Sequence, residues 1–418
     1  MIDVAIPAPM LWLLRWALLL APLAAVLVLG YRNRSDERAL VGGLFAFLYG
    51  LGLIFVTHQF AIAVGWWRYG GDVLMVMGLP ADIWIGGALL FGPVLYLAFP
   101  TVAPVWLVLP VVIAQGIVFA SLKPLVIGGN GWFLGVVLVV VTAHLPALYL
   151  ARWTARDECL PLRASLLAIA YGALAFGALP SLIMQSLWGG WRLNASWLLA
   201  LCAAPFGICM VIGLSAVQSF VVEGHGTPIP LDPTKRLVRT GLFAYVTNSM
   251  QLSTAVAWII MGVVLRNPWV ALASVMAWVF VQGMVRWHHR NDLELRFPEG
   301  WPTYRAHVPE WIPRWTPWTP EPAALRYDPS DYGQARFARW LRKRLPTGLE
   351  TIAEPNLDRL IYISPNEVWP SEGLAAVAKC LNHINFVYAL MGAAMRLVVL
   401  PGQMLCAVIG RRMALRSA

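Results

Sequence analysis

Charge is what this chain has least of. Of its 418 residues only 12% are Asp, Glu, Lys or Arg, about half the share found in soluble domains. That shortage excludes an ordinary water-soluble globular fold. Cysteine is scarce as well. The five residues, Cys159, Cys202, Cys209, Cys380 and Cys406, form no Cys-x-x-Cys pair and no zinc-ligand spacing, so neither a disulfide framework nor a metal site is expected. Acidic residues are outnumbered 21 to 31 by Lys and Arg, for a net charge of +10. The basic residues sit in short loops and in the C-terminal third, where topology and anionic lipid headgroups account for them. No nucleic-acid partner is expected.

What the chain has in excess is apolar residues, 59% of the total, gathered in runs of about 20 or more that can cross a hydrocarbon core roughly 30 Å thick. Nine spans are predicted: 9–30, 40–65, 76–99, 102–122, 131–151, 164–187, 196–221, 241–265 and 268–286. The first exceeds a signal-peptide core and no small-residue cleavage site follows it, so it is read as a retained span. The fold class is therefore an α-helical polytopic membrane protein.

Loop charge orients it. Arg32, Arg34 and Arg38 follow the first span, Arg152, Arg156 and Arg163 the fifth, and Lys235, Arg236 and Arg239 the seventh, whereas the alternate loops hold about one cation each. The positive-inside rule then puts the N-terminus outside and everything beyond about residue 287 in the cytoplasm of a cell whose inner membrane holds the protein. Tryptophan pairs at span ends, such as Trp66–Trp67 and Trp188 with Trp191, read as interfacial anchors.

Polar residues at membrane depth are His58, Gln59, His144, Gln185, Gln218 and Gln282. They fit interhelical hydrogen bonds or, alternatively, a proton relay or quinone-headgroup donor. Asp82, near the outer end of its span, is expected to reach water. No inverted repeat or pair of charged midplane residues supports a transporter.

The loop "GTPIPLDPTKRLVRTG", 226–241, carries Gly, Pro and Asp-Pro signals that forbid continuous helix. Irregular backbone beside spans must face water or line a cavity. Its Lys235, Arg236 and Arg239 suit either an anionic cofactor or lipid headgroups. With the following "LFAYVTNSMQL", the stretch resembles the isoprenylcysteine carboxyl methyltransferase-like membrane methyltransferases. Their pattern is Gly-Thr-Pro-x-Pro-x-Asp-Pro, then Leu-Val-x-x-Gly, then Arg-His/Asn-Pro-Met-Tyr. A second segment, "RWHHRNDLELRFPEGWPTYRAHVPEWIPRW" at 286–315, is similar to that family's Glu-Glu-x-x-Leu-x-x-Arg-Phe…Val-Pro-x-Trp-Ile-Pro. The resemblance covers about residues 196–318. It implies S-adenosylmethionine (SAM) on the cytoplasmic side and a lipophilic acceptor from the bilayer, with Asn248, Asp292, Arg239, Arg286 and Arg290 as cofactor contacts if SAM is bound. This chain departs from the pattern where it matters. Thr247, Ser249 and Gln251 stand at the motif's Arg, Pro and Tyr, and Asn291 with Asp292 at its Glu pair. Replacing Arg by Thr removes a bidentate fork, so the scaffold reads as kept and the site as eroded.

Beyond the proline-rich "WTPWTPEPAAL" at 315–325, a domain boundary is expected and a cytoplasmic α/β domain follows. Its expected order is β-α-β-β-α, with strands at "AALRYD", "DRLIYIS" and "EVWPS" around the helix "QARFARWLRKRL". The stretch "YDPSDYGQARFARW" resembles the opening of the DCC-type thiol-disulfide oxidoreductases, a thioredoxin-like family. The motif's two cysteines fall on Asp331 and Gln334. Without thiolate and resolving sulfur no exchange can run, so the domain is expected to be redox-inactive. Residues 384–409 are apolar enough for a tenth span, but helices packed on the small domain or lying on the membrane surface are preferred.

The domains expected are thus a six-helix membrane region (1–195), a methyltransferase-like membrane core (196–318) and a degenerate thioredoxin-like domain (319–418). The function expected is that of a pseudoenzyme with no catalytic residue and no metal. It would be a subunit or assembly component of a membrane complex, with lipids, protein partners and a lipophilic small molecule as its ligands. The alternative is a SAM-dependent methyltransferase acting on a lipophilic carboxylate, thiol or phenol.

Overall fold

The computed structural model describes residues 8–34, 36–70, 73–118, 125–187, 196–365 and 370–398. The chain forms two compact units, Met1–Arg192 and Leu193–Ala418. Among the described residues, seven helices are long and apolar enough to cross a membrane, as a membrane-embedded protein requires.

Five of those seven belong to the first unit. They are α1 (Ala8–Arg32), α2 (Glu37–Ala63), α3 (Ala81–Ala98), α5 (Trp132–Arg156) and α6 (Leu160–Leu187), with the shorter α4 (Pro104–Val118) between α3 and α5. Asp36 caps α2 by accepting the Ala39 amide at 2.9 Å. Small residues let the helices approach closely: Gly42 of α2 lies so near the Ala151 carbonyl of α5 that a Cβ would sit 2.5 Å from it. Three of these helices carry a π turn, at Leu90–Val94, Val140–His144 and Leu174–Ala178, each at or shortly before a proline. Proline has no N–H for the helical ladder. Pro146 would otherwise have served the Thr142 carbonyl, and the Tyr49 hydroxyl donates to it instead at 2.8 Å.

Two small β pairings border these helices. Strand β1 (Trp67–Tyr69) runs antiparallel to β4 (Val126–Gly128), and β2 (Met75–Val76) pairs with β3 (Leu79–Pro80) around Met77 and Gly78, both at positive φ. That hairpin is why α3 starts at Ala81 and not at 76 as predicted. Asp82 does not reach water. It is buried at 8% exposure against Arg15 of α1, with Nη1 3.2 and 3.1 Å from its two carboxylate oxygens, and Arg15 also donates to the Gly70 carbonyl. An unpaired carboxylate at that depth would be costly, and the arginine supplies its countercharge. Gln59 and Gln185 hydrogen-bond to backbone, and the Tyr69 hydroxyl meets His58 Nδ1. His144 packs on Phe91, ring centroids 4.1 Å apart. The glutamines thus behave as packing bonds.

The second unit contains α7 (Ser196–Val222), α8 (Ser249–Val264), α9 (Pro268–Arg296) and α10 (Gly300–His307). Asn267 caps α9 and Pro268 occupies its first turn. Two predicted bounds shift. The span expected at 241–265 starts as helix only at Ser249, because Gly241 takes φ +60 and the backbone to Asn248 is tied elsewhere. The span expected at 268–286 continues as helix to Arg296.

The C-terminal α/β part holds β5 (Ala323–Tyr327), α11 (Tyr332–Arg342), β6 (Leu349–Ala353), β7 (Ile361–Ile363), β8 (Ser371–Glu372) and α12 (Leu374–Leu381), then α13 (Phe386–Val398). The sheet order is β6-β5-β7-β8, with β5 parallel to β6 and the other pairings antiparallel. Strand β6 corrects the expected order. The helix is followed by an edge strand, LETIA, that the sequence reading passes over in favour of "DRLIYIS". Only Leu349 of β6 is buried, so it shows no apolar alternation. The core is Leu325, Tyr327, Ala338, Leu341, Tyr362, Cys380 and their neighbours.

Helix α13 lays Ala389 and Ala393 against Leu242, Ala244 and Tyr245, with Val211 and Ile212 of α7 packed beside them. The expectation of packed helices after residue 384 thus fits 386–398, and 399–409 lie outside the described residues. The proline-rich stretch is fastened: the Trp318 amide donates to Ala244 O at 2.9 Å, and the Phe386 amide to Trp315 O at 3.0 Å.

Candidate functional site

The loop between α7 and α8 is closed by its own atoms. Thr227 donates through both its amide and its hydroxyl to the Asp232 carbonyl, and the Asp232 amide returns to Ile229 O. Gly226 lies against the Pro233–Thr234 backbone, where a Cβ would come within 2.5 Å, so only glycine fits. The two segments that carry the methyltransferase resemblance meet across this loop. The amides of Thr247 and Asn248 donate to Pro309 and Glu310 carbonyls, the Arg314 amide to Tyr245 O, and the Tyr304 hydroxyl to Phe243 O at 2.7 Å. Tyr304 is buried, which pushes its phenol pKa up and keeps it neutral.

A cavity of about 140 Å³ lies behind them, lined by the loop prolines, Asn248, Gln251, His288, His289, Trp301 and Tyr304 among others. Asn248 Nδ2, His289 Nδ1 and Trp301 Nε1 are each buried with no partner among the described residues. Buried polar atoms are normally satisfied, so this small apolar chamber retains unused hydrogen-bonding capacity.

Of the five candidate cofactor contacts, the structure brings only Asn248 to this cavity. Asp292 is held in a two-pronged ion pair by Arg296, one turn along α9, which also donates to Thr234 O; His288 lies 3.5 Å from the same carboxylate. Arg286 reaches Glu310 at 3.5 Å, Arg239 pairs with Glu321 at 2.6 Å, and Arg290 is exposed on α9. The doublet His288–His289 is the liner that sequence reasoning missed. Its signal was two adjacent imidazoles at the end of a long apolar run.

Sequence reasoning also missed a buried cluster at the end of α7. Glu223 Oε1 accepts from Lys379 Nζ at 2.7 Å and Arg396 Nη1 at 3.4 Å, while Oε2 accepts from the Thr240 hydroxyl. The three charged side chains are 3%, 6% and 2% exposed. Burial alone would raise the Glu223 carboxyl, but the charges of Lys379 and Arg396 and the donors on it outweigh burial and hold it below the usual carboxylate range. One carboxylate thus faces two cations.

In front of Glu223 lies a wider cavity of about 550 Å³, bounded by Lys235, Arg236, Arg239, Thr240, Glu299 and Pro365. Lys235 and Arg236 also turn their amides back to Gly224 O, which fixes where their side chains depart.

In the α/β part, the positions where the resemblance puts cysteines serve the fold. Asp331 caps α11 by accepting the Gln334 amide at 2.7 Å. Gln334 is buried and clamps the Asp328 amide and the Leu357 carbonyl. Cys380 is fully buried, and burial pushes its thiol up, away from thiolate. His383 Nδ1 donates to Thr347 O at 2.8 Å and Nε2 accepts the Tyr362 hydroxyl at 2.9 Å; burial pushes its pKa down to about 4. No protein-family model, curated protein or solved structure matches the chain.

Proposed function

We propose that this chain is a non-catalytic integral membrane protein built on a methyltransferase-like scaffold and carrying a degenerate thioredoxin-like domain. It acts as a binding or assembly component of a membrane complex, with its N-terminus outside and its C-terminal domain in the cytoplasm. The observation that carries this reading is the dispersal of the expected cofactor contacts. Asp292 is engaged by Arg296, and Arg239 and Arg286 are paired with other carboxylates. The cavity that Asn248 lines holds about 140 Å³, below the ~300–1,000 Å³ typical of sites for drug-sized ligands. SAM needs its carboxylate and ribose hydroxyls gripped by charged or strong polar partners, and losing one such buried contact costs roughly 2–5 kcal/mol. A small lipophilic molecule with one or two acceptor atoms suits the chamber better. The capping and clamping roles of Asp331 and Gln334 support a domain kept for its shape.

The test is titration calorimetry of SAM into the protein in nanodiscs, alongside co-purification in mild detergent. No saturable heat up to millimolar SAM, with protein partners retained, is the expected result. Micromolar binding that Asn248→Ala and Asp292→Ala abolish would overturn it. A second reading, an active SAM-dependent methyltransferase for a lipophilic acceptor, is favoured by the three unpartnered polar atoms around the chamber. Methyl transfer is largely a matter of positioning and needs few acid–base groups.

A further inference from the structure

The chamber lined by Asn248 is selective by what its walls lack as much as by what they hold. No Asp, Glu, Lys or Arg lines it among the described residues. An ionised ligand would leave water without meeting a countercharge on the wall, which apolar surroundings penalise heavily. That disfavours carboxylates, phosphates and a sulfonium zwitterion and leaves neutral molecules. Asn248, His289 and Trp301 are 3%, 8% and 4% exposed, and Asn248 Nδ2, His289 Nδ1 and Trp301 Nε1 have no partner among the described residues. The amide and indole nitrogens can only donate, and the imidazole nitrogen donates in one tautomer. The ligand's complementary atoms are thus acceptors. A carbonyl oxygen offers two lone pairs and brings no donor that would itself need a partner.

Size and shape narrow the ligand further. The chamber measures about 140 Å³, and a cavity of about 150 Å³ takes a single benzene ring. Its walls are aromatic: the Trp301 ring centroid lies 4.4 Å from that of His289 and 5.8 Å from that of Tyr304, and Phe220 and Phe243 meet edge-on at 5.1 Å. Flat rings pack favourably against such faces and edges. Phe280, another lining residue, is 46% exposed on α9, where Val279 and Met284 are exposed too. Helix α9 is long and apolar enough to cross a membrane, so a substituent leaving the chamber past Phe280 meets hydrocarbon and not water.

We propose that this chamber is the headgroup pocket for a neutral lipophile whose ring bears a carbonyl oxygen, with Asn248 and Trp301 donating to that oxygen and an apolar tail leaving past Phe280. A quinone and an aryl ketone share this chemistry. The assignment names the ligand class for a chain that binds a lipophile without methylating it, and it rests on that reading.

The full-length chain in nanodiscs is offered matched ligands at equal mole fractions of the disc lipid, and the molecules retained are counted by native mass spectrometry. One pair is a decyl-substituted acetophenone and the hydrocarbon of the same skeleton. The other is a fully substituted benzoquinone with a decyl tail, which offers no free ring position to cysteine thiols, and its hydrocarbon. One carbonyl ligand per chain, retained at a mole fraction about fivefold or more below that needed for its hydrocarbon, is the expected result. Retention in the quinone pair alone points to a redox lipid and in the ketone pair alone to a non-redox one, and either supports the pocket. Trp301→Phe keeps an aromatic body and Asn248→Leu the size of the side chain, while each removes a donor. Both are expected to shrink the advantage of the carbonyl and leave retention of the hydrocarbon unchanged. Equal retention of carbonyl and hydrocarbon would mean an apolar crevice only, and retention of neither a water-filled one; both outcomes are read on the unaltered chain, and both overturn the proposal. A carbonyl advantage that the two variants preserve overturns it as well. SAM is titrated into the same discs: its binding would sink the non-catalytic reading, whereas silence from SAM together with failed retention sinks the carbonyl assignment alone.

Discussion

Each unit of this protein buries a cluster of charge, and the two clusters are built differently. In the first unit Arg15 and Asp82 answer one another one to one, with a carbonyl taking up a remaining guanidinium donor. In the second, Glu223 is shared by Lys379 and Arg396, and Arg396 keeps unused N–H groups among the described residues. A balanced pair can be explained by packing alone: it fastens α1 to α3 where neither ion could stand unpaired. The shared cluster is more than a brace between two helices: it gathers Glu223, the Thr240 hydroxyl, Lys379 and Arg396 from four separate stretches of the chain. The difference separates a brace from a network.

The comparison breaks first at Glu223. Glu223→Gln takes from Lys379 and Arg396 the carboxylate they share, and the expected loss is about 3–5 kcal/mol, read as the unfolding midpoint in detergent or as release of the C-terminal part to limited proteolysis. The same cluster has a pH signature. A carboxyl held below its usual range stabilises the fold fully at neutral pH, and that contribution disappears as acid takes the pH down through its folded-state value. Loss of stability from Glu223 should therefore set in as the pH falls through the ordinary carboxylate range and be complete only below the group's own lower value.

In the balanced pair each single change is costly and the double change is not. Asp82→Leu or Arg15→Met should each cost about 3 kcal/mol, and the double variant should recover most of it, since apolar replacement of a buried pair is often neutral. A thermodynamic cycle in the same detergent measures this, and costs that simply add would remove the pair's standing as a brace.

The α/β part offers a third case, a buried titratable group with no charge at all. His383 has its pKa pushed down to about 4 against an ordinary value of 6.5. Above pH 6.5 both folded and unfolded chains hold it neutral. Between pH 6.5 and 4 the unfolded chain takes up the proton and the folded one does not, so stability falls by roughly 3 kcal/mol across that window. His383→Gln should flatten the slope there.

The smallest effect is expected at Lys379. Lys379→Met leaves Glu223 held by Arg396 and Thr240 as a balanced pair, and should cost under about 2 kcal/mol. A loss as large as that of Glu223→Gln would mean that Lys379 is the main partner of the carboxylate, and the contrast between the clusters would collapse.

The membrane helices were readable because each rests on a local property, a long apolar run; seven of the nine predicted spans hold a helix long and apolar enough to cross a membrane, while 102–122 and 241–265 hold shorter apolar helices. Ends were less readable where tertiary bonds intervene. Residues 244–248 look like the start of a span and are instead hydrogen-bonded to 309–318. Strand β6 was invisible because an exposed edge strand carries no buried alternation. The loop motif left open whether its backbone faces water or lines a cavity; it lines one, and which side chains surround it depends on how Arg296, Glu310 and Glu321 divide the nearby charges. Arg15, Glu223, Lys379 and Arg396 were not singled out at all. Nothing in the neighbourhood of Glu223 announces partners 156 and 173 residues away.

That separation also has a consequence for biosynthesis. At synthesis rates of ~5–20 residues per second, Glu223 precedes Lys379 from the ribosome by roughly 8–30 s. Through that interval α7 is complete while the carboxylate at its end has neither cation, so the second unit cannot reach its final form until α12 and α13 have been made. A chain interrupted at the proline-rich stretch would keep its apolar helices and still display an unsatisfied acid at their end. Quality-control proteases at the membrane could tell such an unfinished chain from a finished one.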